Sequence, residues 1–315
     1  MKRAKKGFTL VELLTTVSII AILLAILLPA VNMVRRIAKE AEQKAQFNTI
    51  GLGLEAFKSD YGSYPGSKWM NLSNPQLTQP SYQGTQRLTE ALVGMDLLGF
   101  HPDYDWRPDG VTNPPNSEVL YPSIAGASFT EQQMRDNLEK RVGPYLEKAT
   151  ESVFRLMDLY PGPSGTGDVQ ILRPDTYVIC DVFKAAKVTI DTTGRTVRAG
   201  TPILYYKADT SKKTMVATFY RDRIYDVENN IGLLLQGRVA YGDLSFSIRQ
   251  QEQYKHRLAI DRDLFYNDSA RFNYPYKVID TKVTTYKWPH RPDSYLLISA
   301  GWDGNFGTED DIVNY

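Results

Sequence analysis

The sequence predicts an α+β protein: one long amino-terminal helix packed on an antiparallel β-sheet domain that carries a large irregular and helical insertion. A charge-free apolar run over residues 13–34 passes directly into a helix-forming stretch that ends near residue 58. Period-two apolar patterns begin only at Thr176, and 8 of the 17 prolines fall within residues 61–125. With 315 residues, 42% of them apolar, the chain is long enough to build a real core, so disorder and coiled coil are excluded as its main class.

The first element is the helix. Residues 1–7 hold Lys2, Arg3, Lys5 and Lys6 and no acid, and the 22 residues that follow Glu12 are uncharged. At about 1.5 Å per residue, such a helix reaches roughly 33 Å and crosses a hydrocarbon core of about 30 Å. Thirteen of the 22 are Leu, Ile or Val, so Pro29 and Asn32 are tolerated, with a bend expected at Pro29. The basic leader places the amino terminus in the cytoplasm. The apolar run is too long for an ordinary secretory signal and offers no small-residue cleavage site at its end. Beyond it Glu, Lys, Gln and Ala dominate as far as Lys58, and Phe47, Ile50, Leu54 and Phe57 recur at helical spacing as a stripe suited to packing on a domain. Gly51 and Gly53 lie inside this helix with no strand before them, so they read as packing glycines and not as a nucleotide fingerprint.

Asp60-Tyr-Gly-Ser-Tyr-Pro65 closes the helix. The insertion over 59–175 is expected to hold a helix near 89–98, another opened by a capping box of Ser128 and Glu131 and ending near Arg141, and a further helical segment near 147–159. Strands are expected within 176–183, 187–191, 202–207 and 294–299, with Thr193-Gly194 as a turn. Residues 215–280 give no clear period.

Composition narrows the function classes. The chain has 37 Lys and Arg against 36 Asp and Glu, a formal charge of +1, so nucleic acid is not an expected partner. Cys180 is the single cysteine, which excludes an intrachain disulfide and any cysteine-based metal cluster; it reads as a small apolar strand residue. His101, His256 and His290 are far apart in sequence and read as satisfied or exposed side chains. No Gly-x-Ser-x-Gly, His-Glu-x-x-His or lysine-ended phosphate loop is present, and the glycine-rich stretch Pro161 to Asp168 lacks that lysine. No catalytic residue is assigned.

Glu12 is the anomaly, a carboxylate at the head of the apolar run, where an unpaired acid is costly unless it reaches water. The segment Lys-Lys-Gly-Phe-Thr-Leu-Val-Glu-Leu-Leu, residues 5–14, resembles the processing site of type IV pilins and type II secretion pseudopilins. That resemblance implies cleavage by a membrane-bound prepilin peptidase between Gly7 and Phe8 and methylation of the new amino terminus. It also implies assembly through Phe8 and Glu12, the acid pairing with the amino group of Phe8 in a neighbouring copy. An α-amino group is mostly cationic at neutral pH, and methylation keeps that charge. Loss of the leader removes four cations and takes the formal charge from +1 to −3.

The tail Gly301-Trp-Asp-Gly-Asn-Phe-Gly-Thr-Glu-Asp-Asp-Ile312 packs four acids into residues 303–311. Calcium takes six to eight oxygens on curling loops, although Thr308 and Asn314 stand where an EF-hand needs Gly and Glu. The tail is similar to the calcium loop that ends G-type pseudopilins, which implies a Ca2+ site at Asp303, Asp310 and Asp311. The same residues also read as an Asp-Gly hairpin turn with solvated acids.

The implied function is structural: a pilin-like subunit of a type II secretion pseudopilus. Its partners would be copies of itself in a helical filament, the prepilin peptidase, other pseudopilins and the secretion machinery. It would sit in the inner membrane as a single-pass protein with a periplasmic domain before joining a periplasmic or surface filament. A type IV pilus subunit shares the amino terminus, although one cysteine cannot supply the disulfide that often closes such subunits. A periplasmic enzyme anchored by an uncleaved helix is the reading from a different class. The expected organisation is a leader over 1–7, a helix over 8–58 that spans the membrane at about 13–34, an insertion over 59–175, and a β-rich part over 176–315 with its acidic loop at 301–312.

Overall fold

Helix α1 (Leu10–Tyr61) runs without interruption for 52 residues and includes Pro29. The computed structural model describes residues 9–68, 82–146, 152–161, 172–184, 186–216, 220–241, 244–266 and 278–315. It separates into two units, Met1–Glu42 and Gln43–Tyr315, which are taken in turn.

In the first unit the helix is apolar and uncovered. Its most apolar 18-residue window has a mean hydropathy of 2.6 and is wholly unburied, which makes α1 a helix long and apolar enough to cross a membrane. Leu10, Ile26 and Met33 are 79%, 69% and 66% exposed. Further along, Arg36 pairs with Glu40 (3.1 Å) and Lys39 with Glu42 (2.6 Å), one turn apart on the polar segment. Such exposed pairs stabilise a helix by only about 0.3–0.5 kcal/mol each.

In the second unit α1 becomes a core element. Phe47, Ile50, Leu54 and Phe57, the stripe expected from spacing, are 3% exposed or less. Phe47, Ile50 and Leu54 share a core cluster with Leu88 and Leu92 of α2 (Gly84–Val93), and with Tyr205 and Leu297 of strands β5 (Leu204–Lys207) and β6 (Tyr295–Ser299), while Phe57 packs on the Phe100 ring (centroids 5.3 Å apart). Gly53 allows this close approach, since a Cβ there would lie 3.0 Å from Leu92 Cδ2 and the leucine would have to give way slightly. Two glutamines add directed bonds: Gln43 Oε1 accepts from the Val182 amide (3.0 Å) and Gln46 Nε2 donates to the Cys180 carbonyl (2.9 Å). The helix ends three residues past Lys58, at Tyr61, and is followed by Gly62, whose φ of +75° lets its amide close on the Lys58 carbonyl (2.8 Å).

The sheets are small and antiparallel. β1 (Val153–Arg155) pairs with β2 (Tyr177–Ile179), and β3 (Ala186–Thr189) forms a hairpin with β4 (Thr196–Ala199) through the expected turn at Gly194. β5, β6 and β7 (Ile312–Val313) form a three-stranded sheet in that order, with Leu204 opposite Ile298 and Ser299 opposite Ile312. Cys180, buried and free, bridges to Pro202 between the sheets. The architecture is the predicted α+β class.

Several local expectations shift. The insertion helix is α2, starting at Gly84 and stopped by Gly94 at φ +86°, so the stretch up to residue 98 is not helical. Its cap is Gln83 with Gln86, a pair that lacks the small hydroxyl or acid that marks a helix start in sequence. Helix α4 (Glu131–Glu139), which follows the single turn α3 (Pro122–Ala125), is opened by Thr130 with Gln133 and not by Ser128 with Glu131. Residues 153–155, expected to be helical, form β1, and only the single turn α5 (Leu156–Leu159) is helical there; residues 147–151 and most of the 161–168 glycine-rich stretch lie outside the described residues. Residues 215–280 include short helical elements, among them α6 (Ile231–Gln236), α7 (Phe246–Arg249) and α8 (Arg257–Ile260), too brief to give a sequence period.

Candidate functional site

The helix head is built around a reciprocal cap. The Thr9 amide and hydroxyl both donate to Glu12 Oε2 (2.9 and 2.7 Å), while the Glu12 amide donates to Thr9 Oγ1 (3.2 Å). This is a capping box, in which the side chains at either end of the first turn satisfy amides that have no partner in the helix. Glu12 thus contributes locally as well as through its charge, near the positive end of the helix dipole. Its second oxygen, Oε1, holds no hydrogen bond among the described residues. Hydroxyls deeper in the apolar run are absorbed by the helix itself: Thr15, Thr16 and Ser18 donate to the carbonyls of Glu12, Leu13 and Leu14. The processing residues Gly7 and Phe8 lie outside the described residues.

The second candidate is the terminal loop between β6 and β7. Gly301 has φ +64° and sits so close to Asp310 that a Cβ would come 2.2 Å from its carbonyl oxygen. The Asp303 carboxylate accepts from the Asn305 amide (2.7 Å), and Asp310 accepts from the Asp303 amide (3.0 Å) and the Thr308 hydroxyl (2.6 Å). Asp311 is buried and accepts from the Gly307 amide (2.9 Å). Asn305 Oδ1 takes the first amide of α8, at Arg257, and Phe306 donates to His256 Nδ1 (3.2 Å). Burial, with the nearby Asp310 charge as a smaller cause, raises the Asp303 carboxyl above its ordinary range. The three acids close turns on loop amides, and among the described residues no three His, Cys, Asp or Glu side chains form a metal-holding group. These amide hydrogen bonds leave acceptor capacity on each carboxylate.

The histidines are satisfied or partly exposed. His256 is buried, which holds its imidazole down at about 3, and His101 Nδ1 accepts from the Asp103 amide (3.3 Å). His290 stacks on Tyr315 with ring centroids 4.1 Å apart.

Comparison with known families picks out the helix head. Residues 2–28 match the family described as the prokaryotic N-terminal methylation motif. The chain carries a prepilin-type amino terminus. The motif supports a type IV pilin-like or pseudopilin-type subunit, and it implies processing by prepilin peptidase and assembly into pilin-like filaments. With the one long apolar helix it supports a single-pass, membrane-anchored protein. No curated protein and no solved structure gives a significant match to the chain.

Within the motif, reasoning from charge identifies Glu12 but passes over Thr9. The signal for Thr9 is present: Thr-x-x-Glu immediately before an apolar run is the sequence form of a capping box.

Proposed function

We propose that the chain is a non-enzymatic structural subunit of a type II secretion pseudopilus, cleaved after Gly7, methylated on Phe8 and assembled through its helix. One observation carries the reading: an apolar helix that no described residue covers begins at Leu10, inside a methylation motif. Exposed apolar surface on this scale requires either lipid or the helices of other copies. The choice of pseudopilus over pilus rests on the resemblance of the tail and on the lone Cys180, which leaves no disulfide to close a pilin-type terminal region. The resemblance of the tail also makes Asp303, Asp310 and Asp311 a candidate Ca2+ site, and the loop-amide hydrogen bonds leave each carboxylate acceptor capacity for a cation.

Mass spectrometry of the protein purified from its native membrane tests the processing. The expected amino terminus is N-methylated Phe8, and an intact leader refutes cleavage and with it the pilin-like role. Deletion of the coding sequence tests the finer assignment. Loss of protein secretion with surface pili retained supports the pseudopilus, and loss of pili with secretion intact overturns it.

A further inference from the structure

Away from the helix head, the second unit contains a cavity of about 650 Å³ lined by six cations: Lys68, Arg87, Lys207, Lys212, Arg221 and Arg223. Three acids share the wall, Asp209, Asp222 and Asp226, and each is engaged. Lys68 pairs with Asp209 (2.8 Å), Lys212 lies 3.7 Å from Asp222, and Asp226 accepts from the Glu228 amide (2.9 Å) at the start of a helical turn. Arg223 lies over the Tyr266 ring, 3.9 Å from its centroid.

Arg221 is engaged as well, so Arg87 and Lys207 are left. Neither forms an ion pair among the described residues, and Arg87 is 95% buried, being only 5% exposed. Its Nε and Nη2 are buried with no hydrogen-bond partner among the described residues, and the Trp106 ring, 5.8 Å away, is a weak substitute. The nearest acid on its helix, Glu90, is fully buried and accepts from the Tyr82 hydroxyl (2.7 Å); burial pushes it up to about 8 against the pull of the Arg87 charge, and it forms no ion pair with Arg87 among the described residues. Lys207 is half-buried, with its amide held by Ser67 Oγ (2.9 Å), and loss of hydration lowers its ammonium below the usual range. Gly66 lies beside the guanidinium, where a Cβ would come 3.3 Å from Arg87 Nη1.

A buried guanidinium without a counterion is costly, and a cavity with surplus positive charge beside it is where an anion offsets that cost. The geometry points to a binding site for a tetrahedral oxyanion, a phosphate or sulfate group, held by Arg87 at the base of the cavity and Lys207 on its wall. Arginine and lysine together suit this chemistry, the guanidinium as a planar donor and the ammonium as a compact charge. The volume admits an oxyanion carried on a larger molecule as well as the free ion. This inference does not depend on the pilin-like reading.

Isothermal titration calorimetry and thermal melting of the full chain in detergent micelles test it. Inorganic phosphate, inorganic sulfate and acetate are titrated at pH 7 and matched ionic strength into the parent, Arg87→Met and Lys207→Met. The expected result is saturable heat and a rising melting temperature with phosphate or sulfate but not with acetate. Arg87→Met should lose about tenfold or more in affinity, as removal of a charge-assisted contact implies. Without anion it should melt no lower than the parent, because it removes an unpaired buried charge. Equal phosphate responses in the parent and Arg87→Met, the same response to acetate, or no response in the parent overturns the site. Should Arg87→Met fail to fold, Lys207→Met decides: an undiminished phosphate response rejects the proposal.

Discussion

Glu12→Gln separates the two roles that the helix head assigns to one carboxylate. Glutamine at this position is itself a capping-box residue, so its amide oxygen can accept from the Thr9 amide and hydroxyl as Glu12 Oε2 does. A complete loss of the cap would cost about 0.5–2 kcal/mol, and the glutamine keeps most of it. What the substitution removes is the charge. If Glu12 neutralises the amino group of Phe8 in a neighbouring copy, an unpaired cation is left in an apolar assembly at a cost of about 3–5 kcal/mol. A loss of about 3 kcal/mol weakens each subunit addition by roughly a hundredfold. The assay is the amount of sheared filament, normalised to processed subunit extracted from the membrane, for the parent, Glu12→Gln, Glu12→Leu and Thr9→Val. Filaments should fall to background in both Glu12 variants and persist at reduced yield in Thr9→Val, which loses a cap but no charge. Parent-like filament from Glu12→Gln would show that capping suffices and would refute the intersubunit pair.

Three further outcomes follow from the second unit. Burial raises Asp181 to about 7 and Glu90 to about 8, so the folded state holds protons that the unfolded chain releases near its ordinary carboxylate range. Stability from these two groups is therefore present at low pH and lost as pH rises towards 7 and 8, by up to about 1.4 kcal/mol per pH unit for each group. His256, held at about 3, works in the opposite sense below its ordinary value of 6.5, so the steepest loss should fall just above that pH; denaturant midpoints at pH 5, 6, 7 and 8 check this, and Asp181→Asn or Glu90→Gln should flatten the curve. Leu54→Ala, at a position with 0% exposure, should cost about 2–5 kcal/mol in the same melts. Calcium in place of a chelator should raise the melting temperature, since a bound ion adds its binding free energy to the fold; no rise, or a rise that survives in Asp303→Ala, rejects the terminal loop as a metal site.

What the sequence made legible divides by the length scale of the cause. The apolar run, the stripe from Phe47 to Phe57, the turn at Gly194 and the strand ending at Ser299 depend on local period and composition, and all appear where spacing puts them. Elements that owe their existence to partners were harder to read. β1 is three residues long and is a strand because Val153 lies opposite Ile179, while α2 begins at a glutamine cap held within a buried network that includes Gln86 Nε2 and Thr176 Oγ1 (2.6 Å). Glu12 was legible because a charge interrupts an apolar pattern, whereas Thr9 fits the pattern well enough to be passed over. The basic cavity had no local signature at all, since Lys68, Arg87, Lys207 and Arg221 come together only through the tertiary fold.

The helix head also explains how one acid can serve both a precursor and an assembled subunit. The Thr9 amide belongs to the Phe8–Thr9 peptide bond, so a cut between Gly7 and Phe8 leaves the capping box intact and the Oε2 contacts unchanged. The cut adds a cation one residue before the cap, beside a helix terminus that already carries roughly half a positive charge from its dipole. Two positive contributions at the end of an apolar helix are unfavourable unless an anion faces them, and Glu12 is the acid within reach along that helix, with Oε1 available. In the proposed assembly, an axial stagger that sets the amine of one copy against the Oε1 of the next neutralises both ends without breaking either cap. A displaced register leaves a cation at one head and an acid at another, each in apolar surroundings. The proposed cleavage, which removes four leader cations, would therefore also create the charge that makes one register better than its neighbours.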